Sequence, residues 1–316
     1  MSSDRIDTQG MLEIAAESLL WWLPDLARFD ASHPLRSMVV RADALSSGPR
    51  GYLGGLEAFF TISGGLPAAA LTRELLAADA GDAVWLSADP AWIQPDLNGA
   101  RLLACGHMGL SMDQASELAE PLLPLFAEAG MSLELSSPDR WHVRLPAGST
   151  IPDFVSPERA LGEDLFQHLP QGVEGKRWRL LLNDAQILLH QHPVNQLRRQ
   201  QALPPVNSLW LWGGGSLPGR VETSLRGVIG DDVLLGALAT RAGLVMQPRT
   251  SQALEQAHTG TLIDLQDLPA ETIAEAWWPA LRALAVRHRV LLVFASGERW
   301  LHRPWHRWRA WRKAMR

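Results

Sequence analysis

Apolar residues recur along the chain in two registers, one of helical spacing and one of alternating or continuous extended spacing. Leu12 to Leu23 follows the helical pattern, and Pro24 ends it. Ser37 to Asp43 reads as a strand, and residues 46–51 (Ser-Ser-Gly-Pro-Arg-Gly) read as a loop. Ala83 to Ser87 and Arg101 to Cys105 are short apolar runs of strand length. Ser111 followed three residues later by Gln114 has capping-box spacing, and Ala115, Leu118, Ala119, Leu122 and Phe126 continue it as a helix. Pro121 and Pro124 kink or shorten that helix, and Gly130 stops it. Met131 to Leu135 and Trp141 to Leu145 predict a hairpin turning at Ser137-Pro-Asp139. Trp141, Val143 and Leu145 alternate with His142 and Arg144, so one face of the second strand is expected in a core.

Residues 146–175 are rich in Gly, Pro and acids and read as a linker or surface loops. Beyond them the pattern alternates. Strands are expected at Ser208–Trp212, Leu244–Met246, Thr261–Leu265 and Val290–Phe294. Helices are expected at Asp231–Ala242, stopped by Gly243, at Gln252–Ala257, and through Ile273, Trp277, Leu281 and Leu284 with a kink at Pro279. Strand and helix in alternation predict an α/β fold with a mostly parallel, helix-covered sheet and a smaller α+β region inserted before it. The expected division is 1–65 joining the core, 66–175 as the smaller region, 176–298 as the α/β core and 299–316 as a tail. No internal repeat or low-complexity tract interrupts it.

Composition adds limits. Of 316 residues 47% are hydrophobic and 20% charged, an ordinary globular balance. Cys105 is the single cysteine, so no intrachain disulfide and no cysteine-built metal cluster can form. It lies in an apolar run and reads as a small core residue. Met1-Ser-Ser-Asp4-Arg5 has no basic region leading into an apolar stretch, and no run of 18 apolar residues occurs. Neither a signal peptide nor a membrane span is expected, and the cytoplasm is the expected compartment. The net charge of −5 conceals an asymmetry. Residues 299–316 hold seven Lys or Arg and no acid; taking them from 29 basic residues leaves 22 against 34 acids, a body of −12.

Several motifs come close to known chemistry and miss. Gly214-x4-Gly219-Arg220-Val221 has the outline of a phosphate loop, but Arg220 and Val221 replace the Lys and the metal-binding hydroxyl. Gly213-x-Gly215 opens a dinucleotide fingerprint that fails at Pro218. The same proline replaces the last glycine of a nucleophile elbow around Ser216. His190-x-His192 would place two imidazoles on one face of a strand, without a third ligand at recognisable spacing. His302-x3-His306 has helical spacing, interrupted by Pro304.

The most specific stretch runs from Leu188-Leu-His-Gln-His-Pro-Val-Asn195, through Arg198-Arg199, to Pro204-Pro-Val-Asn-Ser-Leu-Trp-Leu-Trp-Gly-Gly-Gly215. It resembles a bacterial family of regulatory proteins named for regulation of pathogenicity factors, the RpfE type. It is more distantly similar to the archaeal-type cofactor-independent phosphoglycerate mutases, which carry a His-Pro-x-Asn and Arg stretch leading to a Trp-x-Trp-Gly-x-Gly strand end. Trp85-Leu-Ser-Ala-Asp89-Pro90, Gln94-Pro-Asp96 and Pro138-x-x-Trp141 extend the likeness to the regulatory family, and Gly227 to Gly243 extends it to both. The resemblance implies an alkaline-phosphatase-like core. Those mutases use two metal ions held by Asp and His, and a nucleophilic Ser. Here the Asp-Gly strand end is missing from residues 1–45, Asp264-Leu-Gln-Asp267 stands where an Asp-x-x-Gly-His element belongs, and Phe294-Ala-Ser-Gly297 stands where an Asp-His pair belongs. Two-metal phosphoryl transfer needs clustered carboxylates. The resemblance therefore implies the fold and argues against the activity; no catalytic residue, metal ligand or cofactor is expected.

Binding is the property such a scaffold can keep. Consecutive glycine N–H groups at a strand end can form an anion nest, and arginines add charge-assisted hydrogen bonds. His192, Asn195, Arg198, Asn207, Trp212, Gly213, Gly214 and Gly215 are the candidate anion site, for a small phosphorylated or carboxylate ligand. The alternative is a tight turn with its arginines paired to surface acids. In the tail, Trp305, Trp308 and Trp311 recur beside Arg309, Arg312, Lys313 and Arg316 as neighbouring helical stripes. They either dock an anionic partner or pack on the acidic body. Three functions stay open: a non-catalytic regulatory or ligand-sensing protein, a mutase or phosphatase with an altered site in which Asp43, Asp89, Asp264, Asp267, His190 and His192 converge, and an adaptor acting through residues 299–316.

Overall fold

The computed structural model describes residues 14–96 and 99–309. Its strands are β1 (Leu19–Leu23), β2 (Asp43–Ala44), β3 (Phe60–Thr61), β4 (Val84–Asp96), β5 (Gly99–Cys105), β6 (Ser132–Ser137), β7 (Arg140–Leu145), β8 (Ser208–Ser216), β9 (Glu222–Thr223), β10 (Gly227–Ile229), β11 (Met246–Gln247), β12 (Thr261–Asp264), β13 (Val290–Phe294) and β14 (Arg299–His302). The chain divides into two compact units, one of Met1–Ser63 with Arg220–Arg316 and one of Gly64–Gly219. Among the described residues no helix is long and apolar enough to cross a membrane.

The first unit is built on a seven-stranded sheet of order β11-β10-β12-β1-β13-β14-β2. The first five strands are parallel; β14 and β2 close one edge antiparallel. β1 lies between β12 and β13, and all five of its residues are buried. Its position overturns the helix expected through Leu23. Leu-Leu-Trp-Trp-Leu is apolar at every position, and a parallel strand covered on both faces needs that continuous run. A short apolar run of this kind cannot be told from a buried helix by spacing alone. The strand expected at Ser37–Asp43 is likewise a helix, Pro34–Arg41, and only Asp43 enters a strand. His33 caps this helix by accepting the Leu35 N–H on Nδ1 at 3.1 Å, Pro34 occupies its first turn, and Leu35, Met38 and Val39 face the core.

The second unit is antiparallel, with the 13-residue β4 pairing with β5, β7 and β8, and β6 completing the hairpin with β7. The hairpin and the Ser111 capping box form as the sequence predicts. The prolines break the following helix into Met112–Ala119 and Leu122–Glu128. A 19-residue helix, Gly172–His190, covers the sheet with Trp178, Leu181, Ala185 and Leu189 buried against Leu118, Leu122, Phe126 and Trp141. The expected boundary at 175 therefore falls inside a helix. Residues 176–219 belong to the smaller unit rather than to the parallel core, because β8 extends the sheet of β4.

Candidate functional site

The segment with the most specific sequence holds its own unit together. His190 ends one helix and His192 caps the next, Pro193–Gln200, accepting the Val194 N–H on Nδ1 at 3.3 Å, so they do not share a strand face. Asn195 is fully buried. Its Nδ2 donates to the Leu189 and Val206 carbonyls at 2.7 Å each, and its Oδ1 accepts the Val206 N–H at 2.8 Å. Asn207 clasps the Ile93 backbone, donating to its carbonyl at 2.7 Å and accepting its N–H at 2.8 Å. Arg198 is fully buried and donates to the Pro204 carbonyl at 2.9 Å and the Met108 carbonyl at 2.6 Å. Trp212 donates its indole N–H to Asp89 at 2.8 Å, and Arg140 donates to the same carboxylate oxygen at 3.0 Å. Burial raises the Asp89 carboxyl above its ordinary value. It also raises the Cys105 thiol, which stays protonated.

The glycine run is not a strand-end turn. It lies inside β8, where the pairing with β4 slips: Trp85 faces Gly215 while Ser87 faces Trp212, leaving Gly213 and Gly214 opposite Leu86. This is a β-bulge. Gly213 and Gly215 take φ of +63° and +147°. A Cβ on Gly213 would lie 2.8 Å from the Ala68 Cβ, one on Gly215 2.8 Å from the Pro67 Cβ, and one on Gly214 2.1 Å from the Ile151 Cδ1. The glycines thus let Pro67, Ala68 and Ile151 approach the strand closely, while all three glycines stay half-buried.

A second constellation, in the first unit, stands at the carboxyl ends of the adjacent strands β11, β10 and β12, where ligand crevices of parallel sheets form. Asp231 and Asp232 follow β10, Asp264 ends β12, Asp267 follows it, and Arg249 follows β11. The Arg249 side chain is only 6% exposed. It forks onto Asp267 with bonds of 2.6 and 2.8 Å, reaches Asp231 through its backbone N–H at 3.1 Å and its Nε at 3.4 Å, and donates to the Asp264 carbonyl at 3.0 Å. Asp232 caps the helix Val233–Arg241, accepting the Leu235 N–H at 2.7 Å, and receives the Tyr52 hydroxyl. Tyr52 stacks on Trp22, and Trp22 lies opposite Asp264 in the β1–β12 register. Asp264 itself is fully buried. Its Oδ1 accepts the Gln266 N–H at 3.2 Å, while its Oδ2 has no hydrogen-bond partner and lies close to Gly230. Burial pushes its carboxyl up to about 7; the Gln266 N–H opposes the shift, and the Asp267 and Asp232 charges add to it.

This arrangement does not suit a metal ion. Among the described residues no group of three or more His, Cys, Asp or Glu side chains is placed to hold one. Two of the clustered carboxylates are taken by a guanidinium, one by a helix cap and a phenol, and one is buried with a carboxyl that burial favours in its protonated form. The residues expected to converge in an altered metal enzyme are divided between the two units, Asp43, Asp264 and Asp267 in the first and Asp89, His190 and His192 in the second. Asp43, on β2, binds Arg303 and Arg309, with the His306 Nε2 3.5 Å away, and Asp89 is held by Arg140 and Trp212.

Sequence reading named Asp264 and Asp267 but missed Arg249, Asp231, Asp232 and Tyr52. The available signal was the pair Asp231-Asp232 at the start of an expected helix and Asp264 within an expected strand. In the tail, Pro304–Trp308 is a short 3-10 helix rather than an α-helix. Trp305 and Trp308 are 58% and 69% exposed, beneath the guanidinium groups of Arg303 and Arg307. Trp311, Arg312, Lys313 and Arg316 lie outside the described residues.

No family model matches the chain. Short local matches tie it to curated 2,3-bisphosphoglycerate-independent phosphoglycerate mutases. It is 38% identical to a probable enzyme from Geobacter sulfurreducens over 64 residues, 20% of this chain and 16% of that protein. It is 39% identical to the Methanosarcina barkeri enzyme over 66 residues, 21% and 17% of the two chains. The match thus spans less than a fifth of each curated relative. Among solved structures, the cofactor-independent phosphoglycerate mutase from Thermoplasma acidophilum aligns over 90% of this chain and 89% of its own, at 13% identity and a TM-score of 0.38. The PH0037 protein from Pyrococcus horikoshii aligns over 90% and 87%, at 12% identity and a TM-score of 0.44. The chain carries a distant, local similarity to cofactor-independent phosphoglycerate mutases on a mixed α/β fold with a mostly parallel sheet.

Proposed function

We propose that the chain is a non-catalytic regulatory or ligand-sensing protein of the cytoplasm, built on a phosphoglycerate-mutase-like scaffold. The observation that carries this reading is Arg249. Its guanidinium occupies the centre of the carboxylate cluster at the strand ends and satisfies Asp231 and Asp267 directly. Phosphoryl transfer by a metal pair needs carboxylates free to hold the ions. The resemblance of the segments around Asp89, Trp141 and His192 to the RpfE-type regulatory family adds to the reading. The ligand class is a small phosphorylated or carboxylate metabolite.

Two measurements on the purified chain test it. With 3-phosphoglycerate and Mn2+, Mg2+, Co2+ or Zn2+, no 2-phosphoglycerate or inorganic phosphate should form. A thermal-shift panel of phosphorylated and carboxylate metabolites should contain at least one saturable stabiliser. Metal-dependent turnover would favour the alternative, a mutase or phosphatase-type enzyme with an altered site. An entirely flat panel would sink the sensing version. The exposed Trp305 and Trp308 beside arginines support a second reading, an adaptor that docks an anionic partner. It requires a salt-sensitive interaction that a Trp305→Ala, Trp308→Ala variant loses while its melting temperature stays unchanged.

A further inference from the structure

The helix Gly172–His190 has two apolar faces. One, through Trp178, Leu181, Ala185 and Leu189, is buried in the core of its unit. The other runs through Val173, Leu180 and Ile187, which are 88%, 55% and 60% exposed. At 3.6 residues per turn a seven-residue spacing keeps these three in one stripe, on the side away from the core. Leu188 of the same helix is also exposed. A groove of about 500 Å3 runs between this helix and the helix Leu122–Glu128 alongside Val173 and Leu180. Contiguous exposed apolar surface on a folded unit marks an interaction site.

The sequence around Leu180 selects the occupant. Seven residues before it stands Val173 and seven after it Ile187. Four before stands Lys176 and four after Asp184; three before stands Arg177 and three after Asn183. The stripe is basic before its centre and acidic or polar after it. Laid antiparallel on itself about Leu180, it places an apolar residue against an apolar one and a cation against an anion. A uniformly charged partner would be repelled by one half. An isologous two-fold contact needs this self-complementarity.

We propose that this face is the two-fold interface of a homodimer, with the Leu180 side chains of both copies meeting at the axis. Val173 packs against the partner's Ile187, and Lys176 pairs with the partner's Asp184, once on each side of the axis. The dimer is independent of the ligand reading above, since every residue used lies on the outer face of one helix.

Sedimentation or light scattering on the full chain tests the interface. The parent should show twice the chain mass at concentrations up to about 100 μM, where specific interfaces associate. Leu180→Asp, at an exposed position, should show the monomer mass with unchanged circular dichroism and melting temperature. Lys176→Glu alone and Asp184→Lys alone should each weaken self-association by bringing like charges together. Mixed, these two variants should recover a dimer containing one copy of each. A monomeric parent overturns the proposal, as does a dimer that Leu180→Asp leaves intact. Charge variants that fold but fail to pair when mixed also overturn it.

Discussion

Arg249 and Asp264 show how one residue's environment decides what a cluster can do. A guanidinium with its polar edges bonded to Asp231, Asp267 and a backbone carbonyl is fixed in place, and Asp231 and Asp267 in turn are 54% and 50% exposed. Arg249→Met keeps the length and removes the fork. It should cost roughly 2 kcal/mol, below the figure for a fully buried pair because water can reach both acids. Urea unfolding measures it, and a loss under about 0.5 kcal/mol, the size of an ordinary surface substitution, would show that the clamp is not structural. Asp264 acts in the opposite direction. Its carboxyl titrates near 7 in the folded chain and at 3.8 in the reference state, so the native state binds the extra proton between those values. Stability is therefore present at low pH and lost as pH rises through about 7. Asp264→Asn keeps an acceptor for the Gln266 N–H and cannot ionise. It should be more stable than the parent above pH 7, by up to roughly 4 kcal/mol, and should lose that advantage near pH 4. Thermal melts at pH 8 and pH 4 decide this; equal effects at both would exclude a buried carboxylate.

At the scale of elements, the bulge in β8 makes a sharp claim about the glycine run. Gly213→Ala meets both a left-handed φ of +63° and the Ala68 Cβ at 2.8 Å. It should cost roughly 2–4 kcal/mol, from backbone strain plus overpacking. Gly214 has no such φ, and its added Cβ meets the far end of the flexible Ile151 side chain, so Gly214→Ala should cost less. The reverse order in chemical denaturation would return the run to a simple exposed turn. The pattern of elements explains what could be read in advance. The capping box at Ser111, the hairpin of β6 and β7 and the strands β12 and β13 have local signatures: a paired cap, a turn between alternating runs, continuous apolar stretches. β1 and the helix Pro34–Arg41 were exchanged because short stretches with apolar residues suit either state, and tertiary cover decides between them. The helix Gly172–His190 escaped because apolar residues on both its faces blur its period. The candidate site was legible only in part. Asp264 and Asp267 were visible at the end of one strand, but Arg249 reaches them and Asp231 by a pairing of strands that no local pattern encodes. The conspicuous residues Asn195, Arg198, Asn207 and Trp212 proved to bind backbone or a buried carboxylate of their own unit.

Over the whole molecule, buried titratable groups of opposite preference are set against each other. Burial raises Asp264 to about 7 and raises Asp89, so the folded chain holds protons there that the unfolded chain releases. His142, buried between the Thr72 and Ser136 hydroxyls at 2.9 and 2.8 Å, is pushed down to about 3 by burial and then by the Arg140 and Arg73 charges. His302 is pushed down to about 4 by burial and then by His306 and nearby arginines. The signs follow from proton counts. For Asp264 the native state binds more protons between pH 3.8 and about 7, and stability rises as pH falls across that interval, with Asp89 acting in the same direction. For the two histidines the unfolded state binds more protons below pH 6.5, and stability falls over the same interval. The parent should therefore have a shallow stability profile between pH 4 and 7, although each group alone is steep. Single substitutions should unmask the slopes. Asp264→Asn should lose stability on acidification more steeply than the parent. His142→Gln, which can still reach the Thr72 hydroxyl, should lose less or even gain. Asp264 and His142 share no hydrogen-bond partner, so their effects should add and the double variant should return close to the parental slope. Urea unfolding at four pH values across the interval measures all four slopes. A steep parental profile, or single variants that leave it unchanged, would show that these groups do not balance the fold.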